Sequence, residues 1–289
     1  MGKILRINTR TKNHTYEEVS GDLAGLGGRA LTSKMILNEV PATCHALGKS
    51  NKLVFSPGLL AGSAAANSGR LSVGAKSPLT GGIKESNSGG FVAQKLAKLG
   101  ISALVLEDKP EDAAYSMIVI KDNSVEIVPA DEFNNKGNYE IMEKLWDTYG
   151  KKTGVLSIGQ AGEQRLKAAS IQQADMNGRP GRAVGRGGLG AVMGSKKIKA
   201  IVVDDSGSSR VEIKDSDAFK KANKRWVEML RGHSVTGEGL PALGTAVLVN
   251  IINEAGAFPT KNCRDGRFEG AQATSGEKDA ELIEKRGGI

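Results

Sequence analysis

Residues 177–197 read NGRPGRAVGRGGLGAVMGSKK. Arg179, Arg182 and Arg186 alternate here with glycines at 178, 181, 185, 187, 188 and 190, and the run leads into a helix-compatible stretch ending in Lys196 and Lys197. Glycines let successive backbone N–H groups point into one concavity, a following helix N-terminus adds partial positive charge, and guanidinium forks bind phosphate oxygens in pairs. Apolar segments bracket the run: residues 166–171 and Ile198–Val203 both predict strands. The stretch is therefore read as a fixed anion cradle and not as a mobile surface loop.

From Gly185 to Gly190 the same letters spell GxGxxG, and Asp204 stands near the distance of a ribose-binding acid. A dinucleotide motif follows a buried strand directly, whereas residues 177–184 are polar, rich in glycine and broken by Pro180. A nicotinamide-dinucleotide-binding oxidoreductase using this loop is the alternative reading. A Walker loop is excluded, because Lys196 follows Gly194 one place late and no Ser or Thr comes after it.

Upstream, residues 67–90 read NSGRLSVGAKSPLTGGIKESNSGG. Arg70 and Lys76 flank a strand with small inward residues. Residues 87–90 are expected to open a helix carrying Phe91, Leu96 and Leu99, a second anion site at which Asn87 offers an oxygen to a metal ion. Two glycine-lined basic turns imply a ligand with phosphates and a flat polar body that the backbone touches closely.

The rest of the first half is strand-rich. Lys3–Asn8 alternates apolar and polar side chains and pairs with residues 14–19 as a hairpin. Residues 51–55, 70–76, 101–106 and 153–158 predict further strands, and 115–120 with 124–128 a second hairpin. Helices are predicted over residues 29–40 and 138–149. Beyond Asp205 the periodicity turns helical, over residues 215–231, 243–254 and 277–285. The fold class is α+β, with a strand-rich domain over residues 1–207 and the beginning of a helical domain over 208–289. No internal repeat is discerned.

Composition narrows the function. With 39% hydrophobic and 25% charged residues, the 289-residue chain is an ordinary globular protein. The charge of +8 invites an anionic partner, but 4% aromatic content and no zinc-finger, RNP or basic-zipper pattern argue against nucleic acid. Apolar stretches such as 101–106 and 246–252 are far shorter than a bilayer span, and residues 1–12 lack the apolar core of a signal peptide. A cytoplasmic protein with no membrane partner is expected. Cys44 and Cys263 stand in no CxxC pattern and are read as reduced thiols, and His45 beside Cys44 is too little for a metal site. No His, Asp or Glu has a motif behind it, so no catalytic residue is assigned.

Four blocks in order, NKLVFSPGLLAG, GRLSVGAKSPLTGGIKESNSGG, GRAVGRGGLGAVMGSKKIKAI and LPALGTAVLVNIINEAGAFPTKN, resemble the N-terminal half of aldehyde ferredoxin oxidoreductases along essentially the whole chain. The resemblance implies an N-terminal domain of two β-sheets with short helices, serving as the base for a tungsten or molybdenum bis-pterin cofactor. It implies cofactor-binding roles for Arg70, Asn87, Gly89, Arg182, Ala183, Gly185 and Arg186. Oxygens of Asn87 and Ala183 would hold a Mg²⁺ bridging the phosphates of the two pterins.

The family's [4Fe–4S] cysteines, its proton-handling acid and histidine and its second set of pterin motifs are expected outside this chain, and Cys263 is too early and alone to be one of those ligands. The implied reaction oxidises an aldehyde to a carboxylate and passes electrons through the cluster to ferredoxin. The implied partners are a C-terminal half or second subunit and, since the family is often dimeric, a second copy. A non-catalytic assembly subunit remains a further alternative, although a shape-only role has no need of Arg70, Asn87 and Arg182.

Overall fold

The computed structural model describes residues 2–112, 114–209 and 211–288. Its internal contacts divide the chain into one unit up to Glu212 and a second from Ile213.

Among the described residues, the first unit holds two six-stranded sheets. The first comprises β1 (Lys3–Asn8), β2 (Asn13–Glu18), β3 (Leu53–Pro57), β4 (Leu71–Lys76), β5 (Ile83–Ser88) and β6 (Ile101–Glu107), with helices α1 (Gly28–Glu39) and α2 (Val92–Lys98). Its order is β2-β1-β6-β3-β4-β5, with only the β1–β6 pair parallel. The second comprises β7 (Ser116–Lys121), β8 (Ser124–Pro129), β9 (Gly154–Ser157), β10 (Ile171–Gln173), β11 (Arg182–Val184) and β12 (Ile198–Val203), with α3 (Asn138–Tyr149), α4 (Gln160–Glu163) and α5 (Leu189–Ser195). Read from its other edge, its order is β8-β7-β12-β9-β10-β11, with only β7–β12 parallel.

The two sheets share one plan. Each has a hairpin, a helix, three further strands, another helix, and a last strand that returns to lie parallel beside the first; in the second sheet the one-turn α4 falls between β9 and β10. This repeat corrects the expectation of none. Its halves share burial pattern and not letters: β1 reads KILRIN and β7 SMIVIK. A sheet needs only apolar alternation in register, so topology outlasts identity.

Strand alternation also explains the two cores. Leu5, Leu53, Phe55 and Leu104 face a core shared with Ile118, Val119, Leu156 and Ile201 of the other sheet. The intervening Ile4, Val54, Ala103 and Val105 face Leu31, Met35 and Ile36 of α1. The first sheet is thus covered on both sides, which is why LVF in β3 is apolar throughout. Each of the Leu, Ile, Val, Phe and Met side chains among them contributes about 1.5–3 kcal/mol by burial. Gly74 lets α1 sit directly on β4, since a Cβ there would come within 2.8 Å of Thr32 Cβ. That close seat brings the first turn of α1 to the edge strand β5.

Two expected elements differ. Of the strand expected over 166–171, only Ile171 is in a strand; residues before it turn, with the Ala169 amide on Leu166 O at 2.9 Å. Their carbonyls are used against α5: Gly190 donates to Ala169 O at 2.9 Å. The segment 177–184, read as no strand because of Pro180, carries the three-residue edge strand β11 after that proline.

The second unit is helical: α6 (Ser216–Gly232), α7 (Leu240–Leu243), α8 (Leu248–Glu254) and α9 (Gly276–Lys285). Asp215 caps α6 by accepting from the Ala218 amide at 2.9 Å, and Ser275 caps α9 from Lys278 at 3.2 Å. The single helix expected over 243–254 is broken at Gly244, whose φ of +59° stops α7 and starts a 3-10 turn before α8. Ser234–Glu254 as a whole is long and apolar enough to cross a membrane by length and composition, a longer apolar run than the sequence reading credited. Pro241, Gly244, Glu238 and Asn250 interrupt it.

Candidate functional site

One edge strand of the first sheet is β5 and one of the second is β11, and these two edges approach each other. They are equivalent strands in the repeated plan. Asn87 is the next-to-last residue of β5 and Ala183 the next-to-last of β11; Gly89 and Gly185 are the first residues beyond the two strands. The two glycine-basic turns found in the sequence are therefore the same structural position used twice. Asn87, expected at a helix start, lies on a strand instead, and the helix opens only at Val92. Its pairing partner is Ser72 of β4, whose Oγ accepts from Asn87 Nδ2 at 3.1 Å.

Hydrogen bonds lock the two edges. The Arg186 amide donates to Ser86 Oγ at 3.2 Å, and Ser77 Oγ donates to Gly187 O at 2.7 Å. Gly187 has φ +79°, and a Cβ there would run into Lys84. Gly188, at φ +70°, has no room for a Cβ against the Lys167 carbonyl. These glycines are required by left-handed backbone and by close approach.

The turn before β11 is organised by Asp175, a residue the sequence reading passed over. Its Oδ1 accepts from the amides of Arg179 at 3.0 Å and Asn177 at 2.9 Å, and its own amide returns to Arg179 O at 2.8 Å. The Arg179 amide, foremost, holds the Asp175 carboxyl below the usual carboxylate range. Gln173 was also missed. Buried on β10, it accepts from the Val92 amide at 2.9 Å and donates to Gly89 O at 2.5 Å and Ser88 Oγ at 3.3 Å, so the second sheet holds the turn of the first. An aspartate two residues before an Asn-Gly pair is a turn signal available from sequence; a buried glutamine between strands is not.

Arg70 donates through Nε to Asn87 Oδ1 and through Nη2 to Asn87 O at 3.4 Å. Gly89 lies between two guanidinium side chains: a Cβ on it would stand 3.5 Å from Arg70 Nη1 and 3.9 Å from Arg182 Cδ. Asn87, Ala183, Gly185 and Arg186 line a cleft of about 700 Å³, shared with Arg29 and Ser33 of α1 and with Ile83, Lys84, Glu85 and Ser86 of β5. All seven residues singled out from the sequence thus lie at one junction, Arg70, Gly89 and Arg182 on one side of Asn87 and the others along the cleft. Arg70, Arg182 and Arg186 are exposed. Their donors have spare capacity, and the setting is polar, cationic and rich in backbone amides, which suits phosphate oxygens.

The dinucleotide context is absent here. β11 pairs antiparallel with β10, and β12 lies beside β7 and β9, so no parallel β-α-β unit surrounds the stretch from Gly185 to Gly190. Asp204 Oδ1 caps a turn by accepting from the Ser206 amide at 3.0 Å. Among the described residues, no group of three or more His, Cys, Asp or Glu is placed to hold a metal ion.

Residues 4–205 match the family model for the aldehyde ferredoxin oxidoreductase N-terminal domain, and residues 221–288 match that for domains 2 and 3 of the same family. The chain is 43% identical over 279 residues to the tungsten-containing aldehyde ferredoxin oxidoreductase of Thermococcus kodakarensis, covering 96% of this chain and 45% of that protein. Against the Pyrococcus furiosus protein of the same description the identity is 42%, with the same coverage. The chain thus spans under half the length of these relatives. Among solved structures, the active-site complex BamBC of benzoyl-coenzyme A reductase, bound to 1,5-dienoyl-CoA, shares the fold. The TM-score is 0.77 at 24% identity, over 97% of this chain and 44% of that one.

Proposed function

The chain belongs to the aldehyde ferredoxin oxidoreductase family, and from that membership we propose that its β-rich unit is the base on which a tungsten or molybdenum bis-pterin cofactor rests, phosphates towards the meeting strand ends. When bound, that cofactor supplies the metal centre for two-electron oxidation of an aldehyde to a carboxylate. The chain's own residues bind and orient it. Arg70, Arg182 and Arg186 offer guanidinium forks, each charge-assisted contact contributing about 1.5–3 kcal/mol. Gly89 and Gly185 keep the turns free of side chains, and the oxygens of Asn87 and Ala183 suit a hard Mg²⁺ between the two phosphates.

One observation supports this reading above the rest: Asn87 and Ala183 hold equivalent next-to-last positions on equivalent edge strands that meet. A cofactor with two like halves joined through a cation matches a site built from two like turns. The [4Fe–4S] ligands, the ferredoxin contact and the aldehyde pocket belong to residues outside this chain, on a C-terminal half or a second subunit. A second copy in a homodimer and a cytoplasmic setting, away from membrane and nucleic acid, complete the proposal.

The test is calorimetric titration of the 289-residue chain with inorganic pyrophosphate and, separately, with NAD⁺. Saturable pyrophosphate binding that R182A weakens is the expected result. Heat from NAD⁺ with none from pyrophosphate would favour the dinucleotide reading and end this one. Elemental analysis of the natural complex for tungsten, molybdenum and iron checks the metal.

A further inference from the structure

The cleft between β5 and β11 contains a charge that phosphate binding does not explain. Among the described residues lining it, Arg29, Lys84 and Arg186 are cationic and Glu85 is the one carboxylate. A carboxylate in an anion site weakens anion binding by like-charge repulsion, so its presence calls for a positive partner within the site.

Glu85 has only half of one. Its side chain is 10% exposed, and Oε2 lies 3.3 Å from Nε of Arg29, whose own side chain is 76% exposed. Oε1 is buried with no hydrogen-bond partner among the described residues. A buried carboxylate oxygen left unpaired is costly, and such an atom at the wall of a cleft marks a place for a ligand's donor or cation.

Its place on the strand says which. Glu85 and Asn87 are two residues apart on β5 and so lie on one face. Both oxygens of Asn87 already face the Arg70 guanidinium, which makes a cation on Asn87 alone unfavourable. In the second repeat the position two before Ala183 is Gly181, where a Cβ would stand 2.7 Å from Asp175 Oδ2; the carboxylate there comes from the turn before β11, and its Oδ1 is held by the Asn177 and Arg179 amides. The repeat is symmetric in its backbone oxygens, but only in the first half does a carboxylate on the edge strand itself line the cleft with an oxygen left unpartnered among the described residues.

We propose that Glu85 is the protein's own anionic group at the cation position between the two strand ends. Its unpartnered oxygen accepts hydrogen bonds from water on a divalent cation held by oxygens of Asn87 and Ala183. This rests on the reading of the cleft as a site for paired phosphates and a bridging cation. Glu85 acts as a positioning residue: it orients the cation's water and offsets the repulsion from Arg70 and Arg186.

The test uses Mn²⁺ as the probe, with its free concentration followed by electron paramagnetic resonance in the presence of inorganic pyrophosphate, on wild type, E85Q, E85D and R29A. Partners of this outer kind change metal affinity by roughly 10–100-fold, so E85Q is expected to weaken Mn²⁺ binding by about that factor and E85D by less. Pyrophosphate binding without metal should stay level or tighten in E85Q, because a negative charge has left the site. R29A, which removes a cation from the same cleft, should bind Mn²⁺ at least as tightly as wild type. Unchanged Mn²⁺ affinity in E85Q would overturn the proposal, as would an equal loss in R29A, since Glu85 would then serve only to hold Arg29. Should E85Q not fold, unchanged Mn²⁺ affinity in E85D would count against the proposal. If wild type binds no pyrophosphate, the parent reading of the cleft falls first and the role of Glu85 with it.

Discussion

Gln173 of the second sheet accepts from the Val92 amide at 2.9 Å, at the start of the helix that follows the first sheet's edge strand. Its Nε2 donates to Gly89 O at 2.5 Å, so one buried side chain holds both the turn and the helix after it. The two sheets are joined at the site and not only through their core.

Q173A should therefore destabilise the first unit by about 2–4 kcal/mol, because the buried Val92 amide and the partly buried Gly89 carbonyl both lose their partner. Urea denaturation followed by circular dichroism measures it. Pyrophosphate affinity should fall in the same variant, since the Gly89 turn is no longer held. Wild-type stability in Q173A would mean that water replaces the amide without cost.

Two glycine substitutions should behave oppositely. G188A puts a Cβ into the Lys167 carbonyl at φ +70°, and backbone cannot yield as a side-chain tip can. It should lose several kcal/mol of stability or fail to accumulate as folded protein. G89A meets only Arg70 Nη1 at 3.5 Å and Arg182 Cδ at 3.9 Å, so its melting temperature should be near wild type while anion affinity drops. Thermal melts paired with pyrophosphate titration separate the two.

Lys196 gives a pH signature. Burial, ahead of every other cause, pushes its ammonium down to about 7; its Nζ donates to Asn51 O at 2.6 Å and Asp108 O at 2.9 Å. The unfolded chain keeps an ordinary lysine near about 10.4, so between these values the unfolded state binds the extra proton and stability rises with pH. The gain is lost as pH falls through the folded value. Lys199, also pushed down by burial, adds in the same direction. Denaturation midpoints measured from about pH 6 to about pH 10 should climb in wild type and climb less in K196M.

The Lys199–Glu163 pair, 2.6 Å apart with the ammonium wholly buried, should be costly to break and cheap to replace. E163Q leaves a buried cation with reduced compensation and should cost about 3–5 kcal/mol, whereas K199M/E163L together should cost much less. A double-mutant cycle by chemical denaturation reads both.

Much of the fold was legible from periodicity. Lys3–Asn8, Asn138–Tyr149 and Ile198–Val203 have the expected bounds, because alternation and helical spacing are strong there. Residues 166–171 misled because Leu166 and Ile171 look like strand residues, yet Leu166 is exposed and the carbonyls of Lys167, Ala169 and Ser170 are turned towards Gly188 and Gly190 at the start of α5. The repeat was hidden because it is written in register and not in residue identity. At the site, the arginines and glycines were visible as composition. Gln173 and Glu85 were not, since each matters only through what another part of the chain brings against it.

The most direct measurement is a pyrophosphate titration followed by amide resonances of the isotope-labelled chain. The account predicts that the amides of Gly89, Gly185 and Arg186 shift together and saturate with one affinity, as both strand ends close on a single ligand. Shifts confined to one strand end, or spread over the basic surface without saturation, would contradict it.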